Sequence, residues 1–331
     1  MGSTGDRKPG STIKCAGPGR GCCSITDASA KITCRHRAGI GHSTARRLEP
    51  PNVAIKERFM ADDDLHDFEA GTFDHEGDSK VVLRKGTGPA VIVIAEMPGI
   101  SPKVANFARK VADIGCTAVM PHLFGKPGKD PLAGSRLSTV TYMLGTMTRA
   151  CVSREFTVLA TGRTSPVVDW LRALAANEHE RCGGPGVGAI GMCFTGGYAL
   201  AMATDERLLA PVLSQPSMPF GLTKSARRGI DISRADLEKV KHRCQHDGLT
   251  VLGMRFTTDR LVPAERFQFL KEEIGDAFIA VELPGSAANP DSPMPAHSVV
   301  TEHLIDEPGQ PTRDALDQVL DLYRARLLKP A

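Results

Sequence analysis

Cys193 stands inside the run GMCFTGG, Gly191 to Gly197, where the apolar segment GVGAIGM gives way to helix-forming residues. A buried structural thiol needs no glycines around it. A nucleophile held out on a sharp strand-to-helix turn does, because its backbone is strained and its neighbours must be small. Such a turn places the Phe194 N–H where an oxyanion would form, and the positive end of the following helix favours thiolate. A free thiol has a pKa near 8.5, so only a few per cent is thiolate at neutral pH and a base must raise that fraction. The competing reading is a core cysteine, one of the most buried residue types. Gly186, Gly188 and Gly191 also satisfy G-x-G-x-x-G, but they follow the loop ERCGGP and lie within the strand instead of opening a helix. A dinucleotide site is therefore not expected. Cys15, Cys22, Cys23, Cys34 and His36 fit no common zinc spacing, so no metal is expected either.

The elements that must position Cys193 alternate. KVVLRKG (80–86), AVIVIAE (90–96), CTAVMP (116–121), GVGAIGM (186–192), APVLSQP (210–216), LTVLGMRF (249–256) and AFIAVELP (277–284) read as strands, several apolar enough to be buried on both faces. Helices are predicted at 101–115, with Ser101 as N-cap and Pro102 at N1, at 165–179, and from about Thr195 to Asp205. Others are predicted near 233–245, 263–273 and 312–328. Residues 122–164 read as a long insertion without clear periodicity. Repeated strand–helix alternation implies an α/β fold, a mostly parallel sheet with helices on both faces.

With these elements in place, GMCFTGG resembles the nucleophile turn of the dienelactone hydrolase family, a branch of the α/β-hydrolase fold that uses cysteine. AVIVIAEMPGI resembles the family's early strand, with Glu96 at its end. VLGMRFTTDRLVPAERF resembles the segment of the triad aspartate, with Asp259 followed by Val262-Pro263, and His297 in MPAHSVV follows the next strand. The likeness spans about residues 67–328. It implies a Cys193–His297–Asp259 triad. His297 would take the thiol proton and return it to the leaving alcohol, and Asp259 would fix the imidazole tautomer. It also implies that Glu96 contacts the resting cysteine and that the Met97 N–H is the second oxyanion donor. His303 is a weaker rival to His297, and His122 is either a pocket residue or an ordinary loop histidine. Two positions depart from members that act on dienelactone. Thr195 replaces a usual glycine two residues after the nucleophile, and Thr301 stands where an arginine grips the substrate carboxylate. Arg136, Arg149, Arg154 and Arg163 are left as replacements.

The bulk composition narrows the classes. The 331 residues carry a net charge of +3, and residues 1–50 account for +6 of it, leaving the body mildly acidic. That balance points to no nucleic-acid partner, and no apolar run approaches the roughly 20 residues a membrane span needs. Residues 1–66 read as a disordered or weakly ordered extension before a domain at 67–331, although the scarcity of acids leaves a transit peptide open. Nine scattered cysteines suggest reduced thiols and a cytoplasmic location. The expected protein is a cofactor-free carboxylic ester or lactone hydrolase, a monomer or small homo-oligomer. The alternative is a non-catalytic ligand- or partner-binding protein on the same fold.

Overall fold

The computed structural model describes residues 62–152 and 163–328. The extension read at 1–66 lies almost wholly outside the described residues, as do the cysteines and His36 weighed as a zinc set. Described contacts begin at Asp62, whose carboxylate accepts from the Asp130 N–H at 3.0 Å, and continue at Asp63, whose N–H donates to the Gly128 carbonyl at 2.7 Å and whose carboxylate takes Arg109 at 2.7 Å.

Eight strands form one sheet: β1 (Glu69–His75), β2 (Asp78–Gly86), β3 (Ala90–Ile94), β4 (Thr117–Pro121), β5 (Val187–Met192), β6 (Leu208–Ser214), β7 (Val251–Phe256) and β8 (Phe278–Leu283). Their order is β1-β2-β4-β3-β5-β6-β7-β8. The first two are antiparallel and β2 pairs antiparallel with β4; all later pairings are parallel. The β1–β2 hairpin closes on Glu76 (φ 53°) and Gly77 (φ 81°) between the paired His75 and Asp78. Two left-handed residues match the right-handed twist of the flanking strands. β1 is absent from the sequence reading because EAGTFDH is polar and mostly exposed.

The helices are α1 (Pro102–Asp113), α2 (Arg136–Val152), α3 (Val167–Cys182), α4 (Tyr198–Met202), α5 (Lys224–Arg228), α6 (Arg234–His246), α7 (Ala264–Ile274) and α8 (Pro311–Leu327). Ser101 caps α1 as expected, accepting from the Val104 N–H at 3.3 Å. Strands β3, β4, β5 and β7 are buried along their whole length, so their side chains fill two cores. Ile92 and Ile94 pack with α3, α4, α6 and α7 on one face; Val91 and Val93 pack with α1 and α8 on the other. No helix among the described residues is long and apolar enough to cross a membrane.

Two elements differ from the sequence reading. The insertion holds α2, whose apolar residues do not form one stripe. Thr139, Met143 and Met147 line a cavity, while Leu137, Val140 and Leu144 are 74%, 59% and 60% exposed. That distribution hides a helical period. The helix expected from Thr195 to Asp205 is a 3₁₀ turn, Cys193–Thr195, then Gly196-Gly197 and the short α4. Its end is closed from outside. Arg172 donates to the Ala201 carbonyl at 2.6 Å, and Arg243 donates to those of Ala203, Asp205 and Leu208 at 2.8, 2.6 and 3.0 Å.

Behind α4 lies a buried carboxylate. Asp231 Oδ2 accepts from Ser165 at 2.8 Å, and its Oδ1 is buried without a hydrogen bond. Burial pushes its pKa up to about 6. The fold therefore favours the protonated acid. The stability this gives is complete below about pH 4, the ordinary aspartate range, and is lost as pH rises through about 6. Asp231→Asn is expected to stabilise the protein at pH 8 by up to about 3 kcal/mol and to leave it little changed at pH 4. Urea denaturation at the two pH values checks this; equal effects at both would contradict it.

Candidate active site

β5 carries the chain to Met192 and delivers Cys193 with φ 53°, a left-handed conformation unusual for a side chain with a Cβ. The surrounding chain leaves no room for larger neighbours. A Cβ on Gly191 would meet the Thr195 carbonyl oxygen at 2.1 Å, and one on Gly196 would meet Pro216 Cα at 2.4 Å. The turn is fixed by hydrogen bonds. The Cys193 carbonyl accepts from Gly196 N–H at 3.0 Å and Ser217 N–H at 2.9 Å. The buried Thr195 hydroxyl accepts from Met192 N–H at 3.0 Å and lies 3.0 Å from the carbonyls of Ile94 and Met192. Thr195 thus ties the Cys193 turn to the end of β3. Cys193 Sγ stands 3.5 Å from Ser217 Oγ. Ser217 has no counterpart in the sequence reading. The available signal was its place just past β6, at the same sheet edge as the other candidates.

Asp259 follows β7 and His297 follows β8. His297 Nδ1 and Asp259 Oδ2 are 2.6 Å apart, and Asp259 Oδ1 accepts from Leu261 N–H at 2.9 Å. An ionised aspartate only accepts, so Nδ1 carries a proton, and Nε2 is the ring nitrogen turned away from Asp259. Nε2 is buried, and the group that acts on it is the Cys193 sulfur. Burial disfavours a charged ring here, but the Cys193 sulfur and the Asp259 carboxylate outweigh it and hold His297 well above the ordinary histidine range. Cys193, Asp259, His297, Glu96 and Met97 all line one cavity of about 700 Å³.

Glu96 is buried, but its oxygens do not bond Cys193. Oε1 accepts from Thr301 Oγ1 at 2.5 Å. Oε2 accepts from Ser298 Oγ at 2.6 Å and Gln215 Nε2 at 3.1 Å. The contact with the resting cysteine implied by resemblance is thus replaced by a clamp on the segment that follows His297. The physical reason lies in Thr301 and Ser298, two buried hydroxyls that donate to the carboxylate. His303 is buried. Its Nδ1 accepts from the N–H groups of Ser298 (3.2 Å) and His297 (3.4 Å), and its Nε2–H donates to the Met294 carbonyl at 3.1 Å. Both nitrogens are used, so His303 holds the loop that carries His297. Burial lowers its pKa, in keeping with a neutral ring. His122 is partly exposed, with Nε2 3.0 Å from the Gly125 carbonyl, and does not line the cavity. Arg163 is exposed and also outside the lining. Arg154 and the side chains of Arg136 and Arg149 lie outside what is described.

The model of the dienelactone hydrolase family matches residues 78–284. The chain belongs to the dienelactone hydrolase family. It is accordingly a carboxylic ester or lactone hydrolase on the α/β-hydrolase fold. Similar solved structures include a dienelactone hydrolase from Anabaena variabilis, 16% identical with a TM-score of 0.47, covering 78% of this chain and 98% of that one. Another is a dienelactone hydrolase-like promiscuous phosphotriesterase from metagenomic libraries, 18% identical with a TM-score of 0.48 and the same coverages. No curated protein matches the chain. For a dienelactone hydrolase family member, the two departures now have physical content: Thr195 braces the turn, and Thr301 grips Glu96.

Glu96→Ala would strand three buried donors, and a stranded donor costs about 1–3 kcal/mol. Urea denaturation is expected to show a loss of at least about 3 kcal/mol, with Glu96→Gln losing less than half as much because its carbonyl still accepts. Equal stability of Glu96→Ala and wild type would show that the clamp carries no weight.

Proposed function

We propose that Cys193, His297 and Asp259 act as a catalytic triad that hydrolyses a small ester or lactone through a thioacyl-enzyme. One observation carries this reading. His297 is bonded to Asp259 through Nδ1, while its buried Nε2 shares a cavity with the sulfur that raises its pKa.

His297 Nε2 accepts the Cys193 proton, and the thiolate attacks the carbonyl carbon of the ester. The carbonyl oxygen becomes an oxyanion facing the N–H groups of Phe194 and Met97; a single such donor is worth about 10²–10³ in rate. The tetrahedral species collapses by breaking the bond to the alcohol oxygen, which receives the proton from His297. With a lactone that alcohol remains tethered to the acyl group. Water then attacks the thioester and gives its proton to His297. The C–S bond breaks, the acid leaves, and Cys193 recovers its proton. Ser217 Oγ, beside the sulfur, donates to the thiolate. Glu96 acts as a positioning residue, holding Ser298 and Thr301 and with them the loop that carries His297.

The test is steady-state hydrolysis of short p-nitrophenyl esters. Cys193→Ala is expected to lower kcat by about 10³-fold or more, and Asp259→Asn by roughly 10²–10⁴-fold through loss of the imidazole tautomer. Undiminished turnover by Cys193→Ala would refute the triad.

A further inference from the structure

We propose that this site takes neutral esters with an extended apolar group and discriminates against substrates that carry a carboxylate. The inference rests on the triad reading above and adds the substrate class. Its first support is the cavity wall. Met97, Leu132, Met143, Met147, Leu261 and Met294 line it, four of them methionines. Unbranched thioether side chains adapt to irregular apolar ligands. The volume of about 700 Å³ lies within the range of pockets that enclose a drug-sized molecule. Met143 and Met147, one turn apart on α2, belong with Leu132 and Thr139 to the part of the wall contributed by the insertion.

The second support is the charge inventory. Glu96, Asp130, Asp259 and Glu302 line the cavity, against Lys103, Arg260 and His297, and His297 is committed to Asp259 at 2.6 Å. Lys103 is committed to the Glu302 carboxylate at 2.8 Å. Arg260 is exposed at the rim. Glu96, facing the same cavity as Cys193, is satisfied by two hydroxyls and an amide. These partners are neutral and add no positive charge to the cavity. A substrate carboxylate entering the cavity would lose water and meet like charge, with no unengaged buried cation among the described residues to receive it. Burial already pushes the Asp130 carboxyl up, with the Glu302 charge adding to it, as expected in a pocket inhospitable to further anions.

A matched pair of substrates tests the proposal on the wild-type full chain: p-nitrophenyl hexanoate and mono-p-nitrophenyl adipate, which have six-carbon acyl groups and differ by the terminal carboxylate. p-Nitrophenyl acetate serves as the short reference. kcat/KM is expected to rise at least ~10-fold from acetate to hexanoate, where each buried methylene can contribute about 3- to 4-fold. It is expected to fall at least ~100-fold from hexanoate to the adipate monoester. In Met143→Arg, which adds a cation to the wall, the adipate-to-hexanoate ratio should rise by about 10-fold or more. An adipate monoester hydrolysed as well as hexanoate, or acetate preferred over hexanoate, would overturn the substrate class and leave the triad standing. No hydrolysis of any of the three esters would instead remove the triad reading and this inference with it.

Discussion

The site depends on a left-handed backbone at Cys193. A residue with a Cβ at φ 53° is disfavoured by about 1–2 kcal/mol, so the surrounding structure must hold it there. It does so by close approach and by hydrogen bonds. Gly191 lets the Thr195 carbonyl cross over the strand, Gly196 lets Pro216 sit against the turn, and the Cys193 carbonyl is held by two N–H groups. Thr195 then fastens the turn to the end of β3. One strained residue thereby links three successive strand ends, β5 through the turn itself, β3 through Thr195, and the chain after β6 through Ser217.

The same sheet edge collects the rest. Asp259 leaves β7 and His297 leaves β8, the two strands beyond β6, so a parallel sheet brings residues 38 positions apart to a 2.6 Å hydrogen bond. Side chains on irregular segments need support, and it comes from buried polar groups. Arg266 donates to the carbonyls of Pro216, Gly229 and Ala226 at 2.6, 2.6 and 3.0 Å, fixing the stretch that carries Ser217. His303 and Glu96 do the same for the segment that carries His297.

Much of this was legible in the chain. The apolar strands, the capped α1 and the glycines around Cys193 each carry a local signal, and the Asp259–Val262-Pro263 spacing is visible because Pro263 directly precedes α7. The illegible parts share a cause. The α2 helix spreads its apolar residues over a cavity wall and an exposed face, so no single stripe reveals it. The helix after Cys193 is short because Gly196 and Gly197 serve the turn before they serve a helix. The partners of Glu96 could not be read at all: Ser298, Thr301 and Gln215 are distant in sequence, and ordinary hydroxyls and amides give no pattern until the fold gathers them.

The central claim is that His297 makes Cys193 a better nucleophile than the chain's other thiols. The pH dependence of iodoacetamide alkylation, resolved by peptide mass mapping, tests it directly. Cys116 and Cys244 are internal references, since burial pushes both thiols up to about 11. Cys193 should react at least ~10-fold faster than either at pH 6.5, and His297→Ala should abolish that advantage. A Cys193 that reacts no faster than these references, or whose rate is unchanged in His297→Ala, would contradict the account.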